Sequence, residues 1–203
     1  MNRGRIIVLS GPSGSGKSSI INHLLNEVEN IAISVSTTTR AIRNGEIDGV
    51  DYNFVSKGEF SELLKNDQFL EYEEVHGNFY GTRKDLVEEA LEFGKLLIFD
   101  VDTRGKDNLD KFYSDIAVSI FITTASKDIL EDRLRGRGTE TEDKIKIRLK
   151  NAIYEMKDIY KFDYFVVNDD LAKAKKDVYD IARLTAFKPS KSLTKSLIDI
   201  WAL

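Results

Sequence analysis

The sequence predicts an α/β fold: a parallel β-sheet with helices on both faces, into which a small mixed α+β lobe and a short lid are inserted. Residues 6–9 predict the sheet, because this apolar, β-branched run precedes a glycine-rich turn and apolar residues at helical spacing. Residues 31–36 supply a second strand, and such a strand–helix–strand unit forms parallel sheets. The short strands and turns of residues 50–82 interrupt the pattern and predict the lobe.

Apolar spacing and capping residues place the remaining elements. We expect further strands at residues 51–55, 69–75, 96–102, 116–123 and 164–168. We expect helices at residues 57–66, 83–93, 126–134, 143–160 and 170–186. Ser126 and Asp170 would cap two of these helices, and Gly94 would end another. Residues 76–82 would form a hairpin with aromatic residues at its turn.

These elements divide the chain into a core of residues 1–36 and 83–185, a lid at about residues 135–148, a lobe of residues 37–82 and a tail of residues 186–203. The tail has an apolar stripe on one helical face, formed by Leu193, Leu197, Ile200 and Trp201. Because so short a helix needs a packing partner, we expect the stripe to dock on the protein's own core or on a neighbouring subunit. Both a monomer and a homodimer are therefore open.

The bulk composition excludes several classes of protein. With 203 residues, of which 41% are hydrophobic, the chain can build a substantial core. Its net charge of −4 gives no basic footprint for nucleic acid, and it has no cysteine for disulfides or thiolate metal sites. No apolar run reaches membrane-spanning length, and the first strand leaves no room for a signal peptide. These features predict a cytoplasmic protein that binds neither nucleic acid nor membranes.

One motif between the first strand and the first helix matches GxxxxGK[ST], the phosphate-binding loop or P-loop. Its residues are Gly11, Pro12, Ser13, Gly14, Ser15, Gly16, Lys17 and Ser18. The glycines let backbone N–H groups point at phosphate oxygens, and the helix N-terminus adds partial positive charge. Lys17 would reach the β- and γ-phosphates, and the Ser18 hydroxyl would ligate Mg²⁺. The motif predicts ATP-type nucleotide binding in a P-loop core.

Charged residues after two later strands are further candidates. Arg40 and Arg43 follow the second strand, where their guanidinium groups suit a second phosphate, although surface arginines are often only solvated. Asp100 and Asp102 end another strand at the same sheet edge and would hold Mg²⁺ through water or contact a ligand, unless Asp102 caps the next helix instead. The arginines and glycines of residues 133–142 suit a mobile lid over phosphates.

Six motifs along the chain resemble those of guanylate kinases and occur in the same order: GPSGSGKS, SVSTTTRAIRNGEIDGVDYNFV, FLEY, GNFYGT, RLRGRGTETE and VNDD. The resemblance covers roughly residues 4 to 185. It implies an enzyme of purine nucleotide metabolism that transfers a phosphoryl group from ATP to GMP, and to dGMP, with Mg²⁺ as cofactor. ATP and GMP would be its partners.

The same resemblance implies roles for individual residues. Glu71 would accept hydrogen bonds from the donor edge of guanine and Ser36 would contact its O6, with Thr82 and Asp102 near the base. A carboxylate left without those donors is costly, which would reject adenine. The positions that match holders of the GMP phosphate are Arg40, Arg43, Tyr52 and Tyr80. Those that match binders of the ATP phosphates, with a catalytic role, are Lys17, Arg137 and Arg148. Asn168 lies in the segment that would approach the adenine.

Two other functions are compatible with parts of this pattern. Guanylate-kinase-like modules of scaffold proteins bind partners without catalysis, but they typically have a damaged phosphate loop, whereas Lys17 and Ser18 are intact here. A kinase for another nucleoside monophosphate is the second alternative, and Glu71 with Ser36 argues against adenine. Arg104 departs from the family, which usually has glutamine at that position, and the resemblance gives the tail no role.

Overall fold

The computed structural model describes residues 3–75, 77–136, 138 and 141–202, apart from the side chains of residues 192, 193 and 196. It contains the strands β1 (Arg5–Ser10), β2 (Ile31–Ile33), β3 (Thr37–Thr38), β4 (Asn53–Phe54), β5 (Phe69–Val75), β6 (Asn78–Arg83), β7 (Leu96–Asp100), β8 (Ala117–Thr123) and β9 (Tyr164–Val167).

The helices are α1 (Lys17–Glu27), α2 (Lys57–Lys65), α3 (Lys84–Glu92), α4 (Thr103–Tyr113), α5 (Lys127–Gly136), α6 (Glu142–Met156), α7 (Leu171–Leu184) and α8 (Lys191–Trp201). Short 3₁₀ turns follow α6 at Ile159–Lys161 and α7 at Thr185–Phe187. Within the described ranges, no helix combines the length and the apolar character needed to cross a lipid bilayer.

The core is a five-stranded sheet in the order β2-β7-β1-β8-β9, and all of its strand pairs are parallel. Alternation along β1 supplies both faces: Ile7 and Leu9 pack with α1 and α7, whereas Ile6 and Val8 pack with α3 and α4. A third apolar cluster joins α5 to α6. The predicted α/β fold with helices on both faces is therefore confirmed, and parallel strands bring their carboxyl ends to one edge.

The lobe between β2 and α3 has its own four-stranded mixed sheet in the order β4-β3-β6-β5. Phe60 of α2 is buried and stacks on Phe69 and Phe79, with ring centroids 4.3 Å and 5.4 Å apart. Ser56 caps α2 in a capping box with Glu59, which explains why the helix starts there. The lobe thus has a small apolar core separate from that of the main sheet.

Several features differ from the sequence predictions, of which three bear on the site and the lobe. The second strand ends at Ile33 instead of residue 36, because the chain turns into the lobe there and the Ser36 carbonyl accepts from the Asn53 N–H. The aromatic residues Phe79 and Tyr80 lie within β6 and not at the hairpin turn. The long helix ends at Met156 instead of residue 160, and a 3₁₀ turn follows at Ile159–Lys161.

The tail is held at its start and exposed further on. The Arg5 guanidinium donates to the Lys188 carbonyl at 3.0 Å, and the Lys191 N–H donates to the Asp115 carboxylate at 2.8 Å. Farther along α8, Leu197 is 51% exposed and Trp201 is 89% exposed. Of the two docking sites that the sequence left open, the protein's own core does not cover this end of the stripe, and docking on a neighbouring subunit stays a prediction. The Leu193 side chain lies outside the described residues.

Candidate active site

The phosphate loop follows β1 directly and has a backbone that only glycine permits. Gly11 has a φ of 132°, and a Cβ there would lie 1.9 Å from the Ile122 carbonyl oxygen. Gly16 has a φ of 97°, and its Cβ would lie 2.2 Å from the side-chain nitrogen of Asn168. Gly16 also provides the N-cap of α1 without a side-chain hydrogen bond, so the first amides of α1 face the loop uncapped. This arrangement suits an anion.

Lys17 folds back over the loop from which it starts. Its ammonium donates to the carbonyl oxygen of Gly11 and, at 3.5 Å, to that of Pro12. The side chain is partly buried, so the positive charge is held at the mouth of the loop. This is the place where a bound triphosphate would need it.

A cavity of about 330 Å³ opens beside the loop, lined by Lys17, Ser18, Asp100, Asp102 and Glu155. Burial raises the pKa of the Asp100 carboxyl, and the Lys17 charge opposes that shift. In the described part of the chain, no three His, Cys, Asp or Glu side chains cluster in a way that could hold a metal ion. The oxygen donors nevertheless fit Mg²⁺, because this ion keeps several waters and takes few protein ligands in sites that also hold phosphates.

Asp102 caps the next helix, one of the two interpretations open from the sequence. Its carboxylate accepts the Gly105 N–H at 2.8 Å at the start of α4. The side chain also lines the cavity, so capping and ligand contact are compatible in this geometry. Asp100, at the end of β7, lies beside Leu9 of β1 in the strand register.

Asn168 lies in the segment that was expected to approach an adenine, and its side chain is buried against the phosphate loop. Its side chain is 1% exposed and donates to the Ser15 carbonyl at 2.7 Å, behind the phosphate loop. Its own carbonyl accepts from Arg133 of α5 at 2.7 Å. Asn168 thus supports the loop. Local sequence patterns do not show this role, because 153 residues separate Asn168 from Ser15.

Of the two arginines expected at the ATP phosphates, one reaches the loop. Arg148 of α6 donates to the Ser13 hydroxyl at 2.8 Å, although 135 residues separate them. Arg137 lies outside the described residues. Two cations from distant parts of the sequence, Lys17 of α1 and Arg148 of α6, therefore contact the loop.

In the lobe, Arg40 lies in a cluster with aromatic rings and one carboxylate. Its guanidinium pairs with both oxygens of Glu46, at 2.7 Å and 3.0 Å, and lies 5.3 Å from the Tyr52 ring centroid. The hydrogen bonding that Arg40 donates to Glu46 raises the pKa of Arg40 and lowers the pKa of Glu46. Tyr80 lies 5.9 Å from Tyr52 between ring centroids. The Arg43 side chain is exposed.

Glu46 is a member of this cluster that sequence reasoning missed. It accepts the Arg43 N–H at 2.8 Å and so closes the loop that carries both arginines. The only signal in the sequence is an acidic residue three positions after Arg43, which is too common to indicate a role.

Two of the expected base contacts face each other across the lobe sheet. Thr82 pairs with Glu71, and its hydroxyl donates to the Glu71 carboxylate at 2.7 Å. Side chains opposite each other in a sheet share a face, so the register brings these two together. Ser36 directly precedes β3, whose first residue, Thr37, pairs with Gly81 next to Thr82.

The family model for guanylate kinase matches residues 3–184. The chain belongs to the guanylate kinase family. A protein of Helicobacter hepaticus named guanylate kinase is 44% identical over 201 residues, covering 99% of this chain and 100% of that protein. A guanylate kinase of Wolinella succinogenes is 46% identical over 200 residues, with 98% and 93% covered.

A solved structure of this family has a similar fold. It is guanylate kinase from Anaplasma phagocytophilum, which is 34% identical, with a TM-score of 0.68 and with 94% of this chain and 89% of that chain covered. The family model ends at residue 184, but the match to the Helicobacter hepaticus guanylate kinase covers 99% of this chain. The tail is therefore largely included in what these two proteins share.

Replacing Asn168 by alanine tests its support of the loop. The change leaves the buried Ser15 carbonyl without its partner, and we expect the free energy of unfolding to fall by about 1–3 kcal/mol in urea denaturation. Mg-ADP affinity should fall as well, because the loop loses its backing. Asn151→Ala, at an exposed position of α6, is the control and should stay within about 0.5 kcal/mol. Equal stability of the two variants would show that Asn168 does not support the loop.

Proposed function

We infer that this protein is an enzyme that transfers the γ-phosphoryl group of ATP to GMP and releases ADP and GDP. The observation that carries this inference is the presence of two phosphate-type sites in one family member: the loop cavity, and the Arg40 cluster in the lobe that also carries the Thr82–Glu71 pair. Membership of the guanylate kinase family fits that pair of sites.

We propose that the loop half binds ATP. The backbone amides of the loop residues surround the phosphates, and Lys17 turns from the carbonyls that it now contacts to the β- and γ-phosphate oxygens. The Ser18 hydroxyl and, through water, the Asp100 carboxylate would hold Mg²⁺, which neutralises charge on the phosphates when it is bound. The loop residues that bind ATP are Gly11, Pro12, Ser13, Gly14, Ser15 and Gly16, with Asn168 acting from behind.

The lobe half would bind GMP. Glu71 accepts from the N1 and 2-amino groups of guanine while Thr82 holds the carboxylate in place, and Ser36 contacts O6. Asp102 would lie near the base from the core side. The GMP phosphate would be held by the cluster of Arg40, Arg43, Tyr52 and Tyr80. Tyr80 lies two residues before Thr82 on β6, so their side chains share one face of the lobe sheet.

The transfer step needs no side-chain nucleophile. An oxygen of the GMP phosphate forms a bond to the γ-phosphorus as the bond from that phosphorus to the bridging oxygen breaks, and the electron pair stays on the β-phosphate of ADP. Lys17, Arg148 and Arg137 would stabilise the charge that spreads over the phosphoryl oxygens. The residues therefore act by alignment and electrostatics.

The alternative of a non-catalytic binding module is not favoured by the site. Lys17, Ser18 and the glycine backbone of the loop are all present and form a cavity of the expected kind. Among the described residues of the lobe, none favours a monophosphate other than GMP, since the carboxylate of Glu71 and the hydroxyl groups of Thr82 and Ser36 suit guanine.

Lys17→Ala should reduce kcat by at least about 100-fold, because the fixed positive charge against the transferring phosphoryl group is lost. A coupled ADP-release assay measures this, and circular dichroism checks that the fold is retained. Lys150→Ala, at an exposed position of α6, is the matched control and should keep wild-type turnover. A wild-type kcat in Lys17→Ala would contradict the proposal that the phosphate loop takes part in phosphoryl transfer.

Glu71→Gln tests the recognition of guanine. The amide would keep an acceptor for Thr82 but would present its NH₂ to the guanine donors, so we expect kcat/KM for GMP to fall by about 100-fold or more. Glu74→Gln, at an exposed position of the same strand, makes the same change in charge and should leave kcat/KM unaltered. A similar loss in both variants would refute the recognition of the base by Glu71.

A further inference from the structure

Glu155 is an acidic side chain in a cavity built for phosphates, and the roles above give it no task. It stands in the last turn of α6 and lines the cavity with the phosphate loop, Asp100 and Asp102. Arg148 lies seven residues earlier on the same helix, and this spacing places the two side chains on one flank of α6. One helix therefore presents both a cation and an anion to the phosphate site.

The surroundings of Glu155 are charged and partly closed to water. Burial raises the pKa of the Glu155 carboxyl, the charge of Lys17 lowers it, and the charge of Asp102 raises it. The Glu155 side chain is partly buried. Among the described residues, none forms a hydrogen bond or an ion pair with its carboxylate, so no such contact explains this burial. Among the residues that the structure describes, the charged groups that line the cavity are three carboxylates and the Lys17 ammonium.

Such a lining opposes a nucleotide that arrives without a metal. Like charges in a partly buried site repel, so carboxylates around the loop disfavour the bare phosphates of ADP or ATP. A nucleotide complexed with Mg²⁺ carries less negative charge, and the waters that this ion retains are donors that carboxylates accept. A carboxylate at this position therefore weakens the binding of the metal-free nucleotide and leaves the binding of the Mg²⁺ complex unchanged or stronger.

We propose that Glu155 makes the site selective for the magnesium complex of the adenine nucleotide over the metal-free nucleotide. The inference rests on the proposed binding of ATP phosphates at the loop. Glu155 acts by its charge at the wall of the cavity and as an acceptor for metal-bound water, and it is not required as a direct ligand. It is a specificity-determining residue for the nucleotide, in addition to Lys17 and Arg148.

Calorimetric binding of ADP, with excess Mg²⁺ and with EDTA, tests the proposal without turnover. The neutral and nearly isosteric Glu155→Gln should bind metal-free ADP more tightly than the wild type does, while its affinity for Mg-ADP is unchanged or lower. The Kd for metal-free ADP divided by the Kd for Mg-ADP should fall by roughly tenfold, as expected for removing one charge close to the phosphates. Glu155→Met, a second neutral variant, should shift the ratio in the same direction.

Two control variants separate charge at the site from other causes. Asp143→Asn removes a carboxylate from an exposed position at the other end of α6 and should keep the wild-type ratio. Glu155→Asp keeps the charge and should retain most of the ratio. An unchanged ratio in Glu155→Gln, or equal weakening of both forms of ADP, would overturn the proposal while leaving the nucleotide site intact. A wild-type protein that binds neither form would instead overturn the proposed function itself.

Discussion

The phosphate loop lies so close to the neighbouring backbone that its shape is fixed by the packing of the sheet. Residue 11 has no space for a side chain against the Ile122 carbonyl, and residue 16 has none against the amide of Asn168. Ile122 belongs to β8, which pairs with β1, and Asn168 directly follows β9. The order of the strands therefore forces the loop into the conformation that leaves the amides of α1 uncapped, and the positions of Lys17 and Arg148 depend on that loop.

The two halves of the site are built on different physical principles. The ATP half consists mainly of backbone, so its shape follows from glycine and strand packing. The GMP half consists of side chains that are already paired with one another: Arg40 with Glu46, and Thr82 with Glu71. Such pairs hold charged groups in position before a ligand arrives, which reduces the cost of ordering them on binding. In the proposed function, specificity for the acceptor would therefore reside in the lobe, and activation of the donor would reside in the core.

The fold and the loop could be predicted from the sequence because their signals are local. The run before Gly11, the periodicity after Lys17 and the turns of the lobe lie within short windows. Asn168, Glu46 and Glu155 gave no such signal, because their roles come from contacts made by the folded chain or from the wall of a cavity. The second strand was predicted too long because Ser36 pairs with the lobe, and the exposed end of α8 shows that an amphipathic pattern does not identify its own partner.

The central inference is that this protein phosphorylates GMP because the lobe selects guanine. An ADP-release assay with Mg-ATP and the acceptors GMP, dGMP, AMP, CMP, UMP and dTMP measures that selection. We predict rapid turnover with GMP and dGMP, and a kcat/KM for AMP at least about 100-fold lower, because adenine offers no matching donor edge to the Glu71 carboxylate. A kcat/KM for AMP equal to that for GMP would contradict the inference.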